Sequence, residues 1–186
     1  MRSTPPCHDA SMAFAVELTL DRESAGPVRA LWGRMADGGI QFMADSNADP
    51  HITLGIWESL DIQRTVAEVA ALANLTAPVP LVFADVQVFG TEVVYLAPTR
   101  STRLADLHRH VHERIGPLGD GAWPYYTAAA WVPHCTVAME LGLVPIATAL
   151  NIATGIVLPL SGRGDRIAIV EFRPARERYT HLLTGH

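Results

Sequence analysis

The sequence predicts an α+β fold, with largely antiparallel sheets and helices packed on their outer faces. Three observations lead there. Strand-like and helix-like stretches alternate, and the order helix, strand, helix, strand, strand is read twice along the chain. The later strands follow one another through connections too short for parallel crossovers, so they pair as hairpins. The 186 residues are 49% hydrophobic and 18% charged, a balance that supports a buried core rather than a disordered chain. One domain is expected over residues 12–186, in two pseudo-repeat halves of about 12–98 and 99–186 that face each other.

Each element has a local reason. Residues 1–11 carry Pro5 and Pro6 and little apolar pattern, so they read as a loose, flexible N-terminal tail, with Met12 as an alternative natural start. AFAVELTL (13–20) alternates as a strand, with Phe14, Val16, Leu18 and Leu20 on one face. Asp21 can cap a helix to about Ala36, which Gly38-Gly39 stops. The polar loop DSNADP leads into a strand, PHITLGIW, and a helix follows over about 59–74, bounded by Pro78 and Pro80. Residues 79–90 and 91–98 are two strands joined at Gly90-Thr91. A helix runs from about Thr102 to Ile115, with Leu104, Leu107, Val111 and Ile115 on one face and Gly116 past its end. The loop GPLGDGAWP leads to a second strand of special composition at 132–140, VPHCTVAM and its neighbours. Pro145 opens a short helix to about Thr154. Strands at 166–172 and 176–183 close the chain, with Pro174 in the turn between them.

The two special strands share a grammar of proline, histidine, one residue, threonine, then an apolar residue. Side chains alternate faces along a strand, so His51 and Thr53 share one face, as do His134 and Thr136. Ile52, Leu54 and Ile56 point the other way, as do Cys135 and Val137. Each motif therefore offers an imidazole beside a hydroxyl on a rigid element. An imidazole titrates near neutrality, with a reference pKa of about 6.5. Two of them flanking one phosphate form an acid–base pair, and that chemistry needs no metal and no cofactor. The alternative for either motif is a strand histidine that satisfies a backbone group or faces solvent.

Three aromatic residues are candidates for substrate binding. Trp57 has the strand parity of His51 and Thr53, so it either walls a cleft and stacks on a base or fills the core. Tyr126 and Trp131, with Tyr125, lie in the loop before the second motif, where they bind ligand or pack the loop down. In LHRHVHERI, His108 and His112 are one helical turn apart, but no carboxylate or cysteine completes a metal set, and solvated imidazoles on a boundary helix are the expectation. Arg163 and Arg166 either bring charge to a phosphate or serve as turn residues. The roles of Tyr179 and His181, which share a face of the last strand, stay open. Cys135 faces away from His134, which argues against a thiol nucleophile. No GxSxG, Walker or Rossmann fingerprint is present.

Composition excludes several classes. The net charge is −5 with no Lys/Arg run, so the basic footprint of a protein that holds long nucleic acid is missing. No apolar run approaches the roughly 18 residues of a membrane span, and no secretory h-region opens the chain, which points to the cytoplasm. The two cysteines, Cys7 and Cys135, form no disulfide framework or zinc pattern. With its own repeat, one chain can complete a cleft, so a monomer is expected.

The paired His51-Ile52-Thr53-Leu54 and His134-Cys135-Thr136-Val137 resemble the two signature motifs of the 2H phosphoesterase superfamily. The branch it looks most like is labelled 2'-5' RNA ligase or RNA 2',3'-cyclic phosphodiesterase, and the likeness runs from about residue 12 to the closing strands. It implies a bilobal, pseudo-twofold fold with a central cleft and metal-independent chemistry on cyclic or 2'-linked phosphoesters. It also implies that His51 and His134 are the acid–base pair, that Thr53 and Thr136 hold the phosphate, and that His134 is the base and His51 the acid, giving a 2'-phosphate. Some members carry a basic residue after the second motif, where this chain has Ala138, Met139 and Glu140. That departure favours a small nucleotide or an RNA-end phosphoester over long RNA. The rival expectations are a nucleotide-binding sensor on the same fold that turns nothing over, and a structural protein that binds no phosphoester.

Overall fold

The computed structural model describes residues 12–172 and 175–186; the tail expected over 1–11 and the turn expected at Pro174 lie outside the described residues. The chain begins with β1 (Ala13–Leu20) and α1 (Arg22–Asp37). Asp21 caps α1 by accepting a hydrogen bond from the Ser24 amide at 2.8 Å. Val28, Leu31, Trp32 and Met35 form the buried stripe of α1. A single turn, α2 (Phe42–Asp45), precedes β2 (His51–Trp57). Next come the two-residue β3 (Ser59–Leu60), α3 (Ile62–Leu75), β4 (Val79–Phe89) and β5 (Val93–Pro98). In the second half α4 (Thr102–Ile115) is followed by β6 (Gly119–Asp120), β7 (Cys135–Ala138), α5 (Ile146–Ala153), β8 (Leu160–Phe172) and β9 (Arg176–Leu182).

The largest departures from the sequence expectation are at the starts of α3, β7 and β8, each for a physical reason. α3 starts at Ile62, not near residue 59, because Asp61 caps it and Ser59–Leu60 pair with β6 instead. β7 is shorter than 132–140: Pro133 has no N–H for a ladder, and Glu140 turns the chain into the left-handed region at φ 51°. β8 begins six residues before Arg166 because its glycines lie in the strand rather than in a turn. A side chain at Gly164 would collide with Leu18 of β1, so only glycine lets the two strands cross there.

Among the described residues, seven strands form one antiparallel sheet in the order β2-β1-β8-β4-β5-β7, with β9 also paired to β8. β8 holds it together. One of its edges pairs with β1 from Leu20↔Gly164 to Ala13↔Phe172. The other edge is divided between β4 (Val79↔Gly164 to Phe83↔Leu160) and β9 (Arg166↔Leu182 to Glu171↔Arg176). The fold is therefore α+β with two antiparallel arms, β2-β1-β8-β9 and β8-β4-β5-β7. Each arm mixes strands from both halves of the sequence, so a boundary near residue 98 separates no sheet from another. The main core joins both arms to the helices, through Leu18, Leu31, Leu54, Phe83, Leu96, Leu107 and Ile169. Among the described residues no helix is long and apolar enough to cross a membrane.

Candidate active site

The two motifs sit at the two ends of the sheet order, His51 and Thr53 on β2, and Thr136 on β7 with His134 just ahead of it. These end strands meet: β2 and β7 pack together, with the Cys135 thiol against the His51 backbone. On β2, the cross-strand partners are Thr19 for His51 and Glu17 for Thr53.

The two half-sites are built alike. His51 Nδ1 lies 2.6 Å from Asp49 O, and His134 Nδ1 lies 2.7 Å from Val132 O. A carbonyl only accepts, so each Nδ1 carries the hydrogen and donates it to the residue two places back. Nε2 is then the nitrogen of each ring left for chemistry. The threonine carbonyls are matched as well: Trp131 Nε1 donates to Thr53 O at 2.9 Å, and Trp32 Nε1 donates to Thr136 O at 3.1 Å. One tryptophan thus satisfies the strand carbonyl at each motif threonine, which fixes the backbone that aims the histidines.

Electrostatics separates the two halves. Burial, reinforced by the charge of His51, lowers the His134 imidazole to about 4, so this ring is neutral at physiological pH. The ring lies edge-on to Phe89 at 5.0 Å and to Tyr95 at 5.5 Å, an apolar wall from the β4–β5 hairpin. His51 faces a carboxylate instead, with Glu17 Oε1 3.4 Å from its Nε2. Burial pushes the Glu17 carboxyl above the usual range, while the charge of His51 acts against that rise. Tyr126 lies between the motifs: its phenol lies beside the Thr53 side chain, and its ring centroid is 6.4 Å from that of His134. Burial, with Glu17 nearby, raises that phenol to about 12. The Cys135 thiol, fully buried, is raised to about 12 and is no nucleophile at neutral pH.

The residues singled out from the sequence fare differently. His51, Thr53, His134 and Tyr126 come together, with Thr136 two residues past His134 on β7. Trp57 does not wall a cleft: it is 1% exposed in the main core, and its indole lies over Gly55, where any side chain would collide with it. Trp131 stacks on His108 with ring centroids 3.9 Å apart, so one face and its N–H serve the scaffold. His108 and His112 are not solvated imidazoles. His108 is 3% exposed and bonds Tyr126 O at 2.8 Å; His112 bonds Leu54 O at 3.0 Å. Together they pin the Tyr126 loop and β2 to α4. Arg163 pairs with Asp21 at 3.0 Å, and Arg166 with Asp165 at 3.2 Å. Sequence reasoning missed Glu17 and Phe89. Glu17 had a signal, a lone carboxylate in an apolar strand, on the face opposite Phe14 and Leu18. Phe89 had none, because only the pairing of β5 with β7 brings its hairpin to His134.

An antiparallel α+β fold whose end strands carry facing His-x-Thr motifs defines the 2H phosphoesterase class. The chain belongs to the 2'-5' RNA ligase superfamily, whose model matches residues 20–175. Among solved structures it is similar to TT0787 of Thermus thermophilus, with 17% identity and a TM-score of 0.61 over 94% of this chain and 99% of that one. E.coli LigT complexed with 3'-AMP is similar at 15% identity and a TM-score of 0.56, over 94% of this chain and 99% of that one. E.coli LigT complexed with NADP+ is similar at 14% identity and a TM-score of 0.57, over 95% of this chain and 99% of that one. At these identities the likeness is one of fold. No curated protein matches the chain in sequence.

Proposed function

We propose that this protein is a metal-independent phosphodiesterase acting on 2',3'-cyclic or 2'-5'-linked phosphoesters of nucleotides or RNA ends. The observation that carries the reading is the matched pair of imidazoles, each held through Nδ1 by the carbonyl two residues back, with Nε2 turned to chemistry. His134, neutral at working pH, takes the proton of the attacking water. His51 delivers the proton on Nε2 to the departing 3' oxygen. The Thr53 and Thr136 hydroxyls donate to the phosphate oxygens, and the product is a 2'-phosphate. Tyr126, beside Thr53, and half-buried Phe89, edge-on to His134, border the place a nucleotide would take.

A small substrate fits the net charge of −5 and the Ala138-Met139-Glu140 run after the second motif, which offer little to a long phosphate backbone. Small nucleotides named in the LigT complexes, 3'-AMP and NADP+, are consistent with that size class. One chain supplies both motifs, so a monomer suffices.

The test is incubation with 2',3'-cyclic AMP and 2',3'-cyclic GMP in EDTA, beside a His51→Ala/His134→Ala double variant, with the 2'- and 3'-phosphates resolved. A 2'-phosphate made by the wild type alone is expected. Nucleotide-dependent thermal stabilisation without product would move the assignment to a sensor. The absence of both product and stabilisation, with 2'-5' oligonucleotides as well as the cyclic nucleotides, would overturn the reading.

A further inference from the structure

The two-histidine scheme leaves one carboxyl group of the site without a task. Glu17 is the single charged residue of β1 and is 7% exposed. Its register opposite Thr53 follows a bulge between Val16 and Glu17, the kind of irregularity that re-aims a side chain. Burying a carboxyl in an apolar strand is costly, so its position calls for a reason. Orienting His51 is not that reason. A carboxylate that orients a histidine holds the nitrogen away from the substrate, and here Asp49 O already holds Nδ1 at 2.6 Å. Glu17 Oε1 instead lies 3.4 Å from Nε2, the nitrogen that must lose a proton in every cycle.

The titratable groups that face Glu17 are His51 on β2, Asp49 just before it, Glu177 on β9 and the Tyr126 phenol. Asp49 is itself paired with Arg29. Burial and the Asp49 and Glu177 charges favour a protonated Glu17, and His51 opposes them. At 3.4 Å from Nε2, the Glu17 carboxyl is placed for direct proton exchange with His51.

We propose that Glu17 returns the proton to His51 Nε2 between turnovers. This role rests on the phosphodiesterase reading above. After each cycle His51 is neutral, having given its Nε2 proton to the leaving oxygen, and His134 holds the proton taken from water. The O–H bond of the Glu17 carboxylic acid then breaks, its proton bonds to the Nε2 lone pair, and a carboxylate faces an imidazolium. Glu17 takes a new proton from water and His134 releases one to water, so the cycle balances. Glu17 acts through His51 and is a relay residue rather than one that touches substrate.

Glu17→Gln keeps the size of the side chain and cannot carry the proton. With 2',3'-cyclic AMP, steady-state turnover is expected to fall roughly tenfold or more. In rapid-quench measurements the loss falls on later turnovers more than on the first. Formate or acetate buffer restores turnover in proportion to its concentration, whereas wild type does not respond. A merely structural role would slow every turnover equally and resist rescue, and that result overturns the proposal, as does unchanged turnover. An active wild type with an indifferent Glu17→Gln defeats this role alone. A wild type as inert as the histidine variants defeats the phosphodiesterase reading together with it. A second measurement needs no turnover: carbon-13 NMR of the Glu17 carboxyl in wild type and in His51→Gln. Removing the ring charge should push the Glu17 titration further up, and an unmoved titration would show that the two groups share no proton.

Discussion

At the scale of single residues, the proposed chemistry depends on which ring is neutral and when. Replacing either His51 or His134 with alanine removes one half of the acid–base pair. Each variant is expected to lose about 10²-fold or more in kcat/KM on 2',3'-cyclic nucleotides while its melting temperature stays near wild type. Full activity in both would sink the mechanism. His134 also sets an acid limit. A base must be unprotonated, and burial holds this imidazole at about 4, so kcat/KM, which reports the free enzyme, should hold from neutrality downward and fall as pH drops through about 4. A bound phosphate anion favours the imidazolium, so the acid limb of kcat should lie at higher pH than that of kcat/KM. Superimposable limbs would place the charge of the substrate away from His134.

At the scale of elements, α4 does more than cover the sheet. Its stripe of Leu104, Leu107, Val111 and Ile115 faces the core, and the same face carries His108 against Tyr126 O and His112 against Leu54 O. These histidines tie the loop that bears Tyr126 and Trp131 to the strand that bears His51. The arrangement carries a pH signature. Burial lowers His108 to about 4, below the unfolded value of about 6.5, so the folded state resists a proton that the unfolded chain accepts. The contribution is fully present above about pH 6.5 and is lost as pH falls towards 4, and for this buried ring it amounts to roughly 3 kcal/mol at most. Melting temperature should therefore decline between pH 6.5 and 4. In His108→Gln, which keeps a donor for Tyr126 O, the decline should be shallower. An equal slope in both proteins would assign the acid sensitivity elsewhere. The span of α4 was legible because its apolar stripe and its following glycine agree. The task of its histidines was not, since their partners lie 18 and 58 residues away in the chain.

At the scale of the whole molecule, β8 makes the two arms one cooperative unit. It pairs with β1 on one edge and with β4 and β9 on the other, and Ile167 to Ile169 at its centre are buried. Neither arm can lose β8 without exposing the shared core. Denaturant unfolding should be a single transition, and the Ile167–Ile169 amides should exchange only through global unfolding. Two separated transitions, or fast exchange in β8, would show that the arms open independently.

The sequence by itself determined the α+β class, the helix spans marked by a cap, an apolar stripe or a stopping glycine, and the two His-x-Thr motifs with their shared strand faces. These follow from local rules: periods of 3.6 and 2 residues, capping side chains and the identity of the groups able to move a proton. It also placed the motifs in equivalent slots of a repeat, from which a facing pair follows. Only the tertiary structure decided which strands pair, that Trp57 is core, that paired tryptophans brace both motifs, and that Glu17 faces Nε2 of His51. Pairing depends on contacts between distant residues, and a tryptophan of the right parity is core or cleft according to what packs over it. The chemistry of Glu17 arises from burial and from a neighbour brought across the strand, and neither is written in the residues beside it.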